Sequence, residues 1–392
     1  MKTAILVFSV GGLSLARRLC DARLNESTVF GPSCVVRECG GIASLLASSS
    51  PGGIIATDEP GVFGWTGPLR RFLPTIWEEF DAIVAVMALG IVVRLVGPLA
   101  SDKRRDPAVV VVDEAGRFAI SVLGGHGAGA NELAVRVAEA LGAVPVITTA
   151  SDVHGLPAVD QIGRAWGWTI ERTENLTRVA AAVVRREPVA VWQDAGSTRW
   201  WERFGPWPAH FVRLQSWSEL AGLRPAAVLV ISDRIVPADL PADRTVVYRP
   251  PTLVAGLGCR RGTPAEEIAA WVDRVFAAHA LAPASLAALA TVTLKADEPG
   301  LLAFAEARGL PLIAFRPEEL AEQPGIERPS ERVRAKIGIA AVAEPAALRA
   351  AGADRLLVPK QIGPGITVAV ARRLSKGPAH QPIEAGGPKP GA

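Results

Sequence analysis

The sequence predicts a multi-domain α/β protein: an N-terminal α/β region, a Trp-rich middle insert and a C-terminal three-layer α/β domain. Three observations carry that expectation. Short apolar runs alternate with segments of helical spacing in the first and last thirds of the chain. The alternation weakens between about residues 165 and 248, where Trp166, Trp168, Trp192, Trp200, Trp201, Trp207 and Trp217 collect among several prolines. It restarts after Arg249-Pro250-Pro251, which reads as a linker. A length of 392 residues suits two or three domains at ~150 residues each. The expected boundaries are 1–150, 151–248 and 249–373, with a Gly- and Pro-rich tail, 374–392, expected to be disordered.

In chain order, Ile5 to Phe8 reads as a buried first strand and Leu13 to Cys20 as a helix. Ala82 to Met87 is apolar throughout, the signature of a parallel strand buried on both faces. Ala108–Val112 and Phe118–Leu123 flank Asp113-Glu114-Ala115-Gly116, so they read as a hairpin. Asn131 to Leu141 has helical spacing and stops at Gly142; Val144 to Thr148 is the next strand. In the middle region strands are expected at Val189–Trp192 and Ala226–Ile231, with the tryptophans either packing an irregular domain or forming a substrate platform. The last domain reads as strand Leu253–Leu257, helix Ala265–His279, strand Leu289–Thr293, helix Pro299–Arg308, strands Leu312–Phe315 and Arg355–Val358, and an edge strand Thr367–Ala371. No internal repeat at a fixed period is visible.

Composition excludes several classes. Apolar residues make up 49% and charged residues 21%, which is globular rather than disordered. With 42 Lys plus Arg against 39 Asp plus Glu, the net charge of +3 gives no field that argues for nucleic acid. The longest apolar run, Ala82 to Val93, falls short of the ~20 residues a membrane helix needs. The amino terminus has no export signal, so a cytoplasmic protein is expected. Cys20, Cys34, Cys39 and Cys259 are too sparse for a disulfide framework and lack the spacing of a zinc site, so free thiols are expected.

Three clusters carry chemistry. The first is Gly124-Gly125-His126-Gly127-Ala128-Gly129-Ala130-Asn131-Glu132, between a strand and a helix. Free N–H groups and the positive helix end favour an anion there. Gly125, Gly127 and Ala130 also fit a loose dinucleotide fingerprint, and a plain structural turn is the third reading. His126 suits a general acid or base, or a residue that merely caps the turn. The second cluster is Arg94 with Ser101-Asp102-Lys103-Arg104-Arg105-Asp106-Pro107. The run reads as carboxylate-binding cations or as a solvated loop, whereas Arg94, in an apolar context, is expected to need a partner. The third is Gly256 to Glu267. Thr263 reads as an N-cap, Pro264 as the first helical residue and Glu266 as its capping-box partner. Arg260 and Arg261 stand where an anion would bind, and Lys295 ends a neighbouring strand of the same sheet. Cys259 has no histidine near it in sequence to make it a nucleophile. Pro329-Ser330-Glu331 and Glu344-Pro345-Ala346-Ala347 read as helix starts.

Taken together, these segments resemble the cobalt-precorrin-5A hydrolase (CbiG) family of the anaerobic cobalamin pathway. The likeness rests on Met87 to Arg94, Asp102 to Asp113, Gly125-His126, Gly129 to Leu133 and Val146 to Asp152. It continues through Gly256 to Thr263, Lys295 to Leu301, Pro329 to Glu331, Glu344 to Leu348 and Leu356 to Lys360, spanning about residues 80 to 372. The family's loop reads Ser-Gly-His followed by a larger residue and a glycine; here Gly124 replaces the serine, and Gly127 and Ala128 follow His126. The last domain also resembles a stand-alone protein of the aerobic cobalamin pathway.

The resemblance implies hydrolysis of a δ-lactone that joins a ring acetate to a two-carbon unit, released as acetaldehyde to give cobalt-precorrin-5B. It implies His126 as base with Asp152 as the alternative, Asn131 beside them, and the N–H groups of Gly125 to Asn131 as an oxyanion hole. Arg94, Lys103, Arg104, Arg260, Arg261 and Lys295 would hold the substrate's carboxylates, with Gly125, Gly129, Glu132, Thr148 and Thr149 lining the site. It implies no protein-bound metal or other cofactor, since cobalt arrives in the substrate. The implied partners are a polycarboxylate corrinoid and other cobalamin-pathway enzymes, with neither nucleic acid nor membrane. Two rival readings are a non-catalytic corrinoid carrier and a nicotinamide-dependent oxidoreductase using the Gly125–Ala130 loop.

Overall fold

The computed structural model describes residues 1–22, 24, 26–37, 54–57, 59–103, 105–329, 331 and 338–373. The expected tail, 374–392, lies outside them, as do Arg104, Cys39 and Ser330. The chain forms two compact units, Met1–Gln161 and the remainder from Ile162. Residues 151–161, read from the sequence as the start of the middle domain, thus belong to the first unit.

Among the described residues, the first unit is built on eight strands: β1 (Thr3–Val7), β2 (Ser27–Pro32), β3 (Ile54–Ala56), β4 (Val62–Trp65), β5 (Ala82–Val86), β6 (Ala108–Val112), β7 (Phe118–Leu123) and β8 (Val144–Val146). Their order is β3-β4-β2-β1-β5-β6-β7-β8. From β4 to β6 the sheet is parallel, and alternate residues feed two cores. Ile5, Val84 and Val110 pack under the helices Val10–Asp21 and Ala130–Leu141, while Leu6, Ile83 and Val109 pack on the other face. Burial on both sides explains the unbroken apolar runs. β7 turns back antiparallel to β6, with Val109 opposite Leu123. The turn is held by Asp113, whose Oδ1 accepts from the N–H groups of Arg117 and Phe118 at 2.7 and 2.8 Å. β8 then runs parallel to β7. The chain therefore leaves β7 and β8 at one edge of the sheet, the edge where β5 and β6 begin.

The second unit contains two five-stranded sheets. The region of weak pattern folds as β9 (Thr169–Glu171), β10 (Val189–Gln193), β11 (Phe211–Arg213), β12 (Ala227–Ile231) and β13 (Thr245–Arg249), in the order β11-β10-β12-β13-β9. Most tryptophans pack it: Trp200 is fully buried, and Trp192 lies 4.4 Å from Trp217 between ring centroids. The last sheet has β14 (Leu253–Cys259), β15 (Leu286–Val292), β16 (Leu312–Phe315), β17 (Leu356–Ile362) and β18 (Ile366–Arg372), in the order β16-β15-β14-β18-β17. Helices Ala265–Ala278 and Pro299–Ala307 cover one face and Ala343–Ala351 the other, giving the three layers expected. One expectation fails. The Thr367–Ala371 segment is not an edge, because β17 and β18 form a hairpin that places β18 between β14 and β17.

Candidate active site

The polar constellation of the first unit is assembled where the chain leaves β7 and β8. After β7, Gly124 takes φ +72°, and the chain loops through His126 into the helix Ala130–Leu141, whose N-cap is Gly129 at φ +87°. After β8, Thr149 leads into the short helix Ala150–Val153, which carries Asp152. The two segments meet through side chains. Asp152 Oδ2 lies 2.7 Å from His126 Nε2 and accepts from Asn131 Nδ2 at 2.9 Å. The same Asn131 amide donates to Thr149 Oγ1 at 3.0 Å, and its carbonyl oxygen accepts from Ser121 Oγ at 2.7 Å. Asn131 is buried, so this chain of bonds fixes the carboxylate from below.

The electrostatics follow. The hydrogen bond to Asp152 raises the His126 pKa above the ordinary imidazole value; burial opposes it, and the charges of Asp152, Asp160 and Glu132 reinforce it. Asp160, on the turn Val159–Gln161, stands 3.8 Å from His126 Nδ1 through Oδ1. A carboxylate can only accept here, so Nε2 carries the hydrogen and the neutral ring presents its lone pair at Nδ1, toward Asp160. His126 is 17% exposed, whereas Asp152 and Asp160 are 41% and 43% exposed, so the carboxylates line the open side.

The structure brings together His126, Asn131, Thr149 and Asp152 of the residues expected from sequence. Glu132 is exposed in the first turn of the same helix, and Thr148 is exposed beside Thr149. Gly125 packs against the Asn131 amide, where a Cβ would come within 3.0 Å of its oxygen. Lys103 is exposed on a loop whose backbone runs alongside Gly127. That loop is folded on the buried Asp106, which accepts from the Ser101 N–H at 3.2 Å.

Four expectations need correction. Three of the seven N–H groups of the expected oxyanion hole are spent inside the loop: those of Ala128 and Ala130 donate to the Gly124 carbonyl and that of Asn131 to the Gly125 carbonyl. Arg94 is exposed on the helix Leu89–Val96, with its guanidinium over Gly90, so it needs no buried partner. Lys295, in the second unit, is not a free cation but pairs with the buried Glu298 at 2.9 Å. Thr263 is not an N-cap: its hydroxyl donates to the Arg260 carbonyl, and the helix starts at Ala265 after Pro264. Arg260 and Arg261 are exposed in that unit, with no ion pair among the described residues. Burial raises the Cys259 pKa, which makes its thiol a poor nucleophile.

Ser121 and Asp160 escaped the sequence reading. Ser121 looks like any strand residue, and Asp160 comes from a turn without periodicity. Among the described residues no helix is long and apolar enough to cross a membrane.

Three family models match the chain: Cobalamin synthesis G N-terminal over residues 71–152, Cobalamin biosynthesis central region over 157–250, and Cobalamin synthesis G C-terminus over 253–371. A protein of Priestia megaterium named cobalt-precorrin-5A hydrolase is 40% identical over 315 residues, which is 80% of this chain and 84% of that protein. One of the same name from Salmonella typhimurium is 35% identical over 293 residues, 74% of this chain and 81% of its own length. Among solved structures, a cobalamin biosynthesis protein G homolog from Sulfolobus solfataricus is 21% identical with a TM-score of 0.36, covering 95% of this chain and 97% of that one.

Proposed function

Because the chain belongs to the cobalt-precorrin-5A hydrolase family, we propose that it is the hydrolase of cobalamin biosynthesis that opens the δ-lactone of cobalt-precorrin-5A and releases acetaldehyde. The observation that supports this most is the His126–Asp152–Asn131 constellation, a base held by a carboxylate that is itself held by a buried amide. Its logic is that of an activated nucleophile, with water in the attacking role.

In this reading Asp152 accepts the Nε2 hydrogen and fixes the tautomer. His126 Nδ1 then takes a proton from water, and hydroxide adds to the lactone carbonyl. Asp152 and Asp160 stabilise the imidazolium that forms. The positive end of the helix Ala130–Leu141 and the N–H groups of Gly125 and Gly129, which no described hydrogen bond occupies, favour the oxyanion. Once the ester has opened, the freed hydroxyl gives up its proton. Its carbon becomes the acetaldehyde carbonyl, and the electron pair of the broken C–C bond passes to the conjugated ring. The reading assigns the enzyme no cofactor of its own, since cobalt comes with the substrate. It also puts the reaction in the cytoplasm, in contact with the neighbouring enzymes of the pathway. Exposed cations such as Arg94, Lys103, Arg260 and Arg261 are available to the carboxylates of a corrinoid.

The test is anaerobic incubation of the full chain with cobalt-precorrin-5A, with acetaldehyde assayed and product mass read in parallel. Acetaldehyde above the no-protein control with the matching mass change is the expected result. Corrinoid that stays bound and unchanged would instead favour the carrier reading.

A further inference from the structure

The second unit contains a cavity of about 430 Å³ that the hydrolytic reading leaves unused. Its volume lies in the range that encloses a small organic molecule. Two arginines, Arg349 and Arg373, and no acidic residue line it. Two indoles, Trp166 and Trp168, form an aromatic wall with ring centroids 5.9 Å apart and ring planes inclined by 37°.

The Trp168 half of the wall is built rigidly. A Cβ on Gly163 would stand 2.1 Å from the Trp168 ring, and one on Gly196 would stand 2.7 Å from it. Both glycines have positive φ, +78° and +73°, so backbone conformation and space together reserve the slot for this indole. The polar groups are less settled. The Trp166 Nε1–H is buried without a partner among the described residues. Arg373 is half-buried, and no described hydrogen bond or ion pair satisfies its guanidinium. Burial alone lowers its pKa, consistent with a cation that has no counter-charge beside it. Arg349 is only loosely paired, 3.8 Å from Glu319. Two carbonyls of the last turn of the helix Ala343–Ala351, those of Arg349 and Leu348, are already satisfied by the N–H groups of Gly352 and Ala353.

A desolvated cation without a partner is costly, and a bound carboxylate offsets that cost with a charge-assisted hydrogen bond. A fixed aromatic wall selects a flat partner. We infer that this cavity binds a planar conjugated carboxylate, its anionic end on Arg373 and its flat body against Trp166 and Trp168. That chemistry has two sources, a free aromatic acid or one carboxylate-bearing edge of a tetrapyrrole. The inference stands whether or not the His126 site opens a lactone.

The experiment is calorimetric titration of the full chain with 2-naphthoate, with its neutral analogue 2-naphthamide, and with uroporphyrin III as a stable polycarboxylate tetrapyrrole. Saturable one-site binding of 2-naphthoate is expected, with 2-naphthamide at least about tenfold weaker. Arg373→Gln should weaken 2-naphthoate by about tenfold or more, and Arg373→Lys should retain most of the affinity. Trp166→Phe, which keeps a ring but removes the N–H, should cost a few-fold. Uroporphyrin III that displaces 2-naphthoate identifies a tetrapyrrole edge as the source; failure to displace identifies a free aromatic acid. Three results would each overturn the inference: no saturable 2-naphthoate binding, equal affinity for the amide, or undiminished affinity in Arg373→Gln with an unchanged melting temperature.

Discussion

Two loops of this protein look alike in sequence and behave oppositely. Gly124 to Asn131 and Gly256 to Thr263 both join a strand to a helix, both are glycine-rich, and both carry ionisable side chains, His126 in the first and Arg260 and Arg261 in the second. In the second, the place of an anion is taken by the chain itself. Glu298 is buried, accepts from the Gly262 N–H and pairs with Lys295. In the first, the internal hydrogen bonds run from backbone to backbone, while the side chains of His126 and Asp152 face each other next to open solvent. The difference lies in what a third segment supplies. The stretch after Lys295 returns a carboxylate to close one loop, whereas the stretch after β8 brings Asp152 and Asp160 to face an imidazole. A loop that reads as anion-binding can therefore already hold its anion.

The strongest challenge to this contrast is at the first loop. His126→Ala and Asp152→Asn should each lower kcat for lactone opening by roughly 10²- to 10⁴-fold, with KM changed little. Single-turnover acetaldehyde release measures both, and parent-level turnover in His126→Ala would remove the base assignment.

Gly124→Ser tests the backbone of the same loop. A Cβ there would stand 2.8 Å from Ala128 Cβ and 3.1 Å from the Pro107 carbonyl oxygen, at φ +72°. The substitution should cost about 1–3 kcal/mol of stability. Gly124→Ser with Ala128→Gly should recover part of it, and thermal melts of the single and double variants read the coupling.

At the second loop, Glu298→Ala leaves the Gly262 N–H and the Lys295 ammonium without their acceptor. Stability should fall by about 1–3 kcal/mol while acetaldehyde release continues, which chemical denaturation checks. The Gly262 N–H bond, reinforced by Lys295, lowers the Glu298 pKa. Its stabilisation is therefore complete above the unfolded carboxylate range and disappears as pH falls through the lower folded value. His126 has the opposite sign. Its pKa is raised, so its contribution to stability is full below the unfolded imidazole value and is lost as pH rises through the folded one. As a base, His126 must be neutral, so kcat should rise with pH through a value above the ordinary imidazole range. In Asp152→Asn the residual activity should show that limb at lower pH.

The smallest effect is expected from Arg260→Ala with Arg261→Ala. Exposed charges contribute under about 1 kcal/mol each, so corrinoid affinity should fall by no more than roughly fivefold per arginine. A loss of a hundredfold would mean that the second loop binds substrate after all.

What was legible in the sequence follows from what leaves a local trace. The parallel core was legible because strands buried on both faces are apolar throughout, as in Ala82–Val86 and Ala108–Val112. His126 was legible because glycines on both sides leave little for a plain core residue to pack against. The middle sheet was half-legible: β10 and β12 show apolar runs, while β9 and β11 have three residues each and leave no period. The position of β18 was not legible, since the pairing of a hairpin is decided by a partner strand and not by the strand's own residues. Lys295 and Glu298 were both visible, but that they neutralise each other depends on how a short turn aims two side chains.

The reversal of direction at β7 has a consequence for how the site comes into being. Ser121, His126, Asn131, Thr149, Asp152 and Asp160 all lie in one continuous stretch, residues 121 to 160. Bringing them together requires only short loop closures, which are entropically modest, and not the docking of distant parts of the chain. The same economy makes the site vulnerable as a unit. One local opening of the helix Ala130–Leu141 withdraws Asn131 and with it the bonds to Ser121, Thr149 and Asp152 at once, so its amide protons should exchange with solvent on the same free-energy scale on which activity is lost.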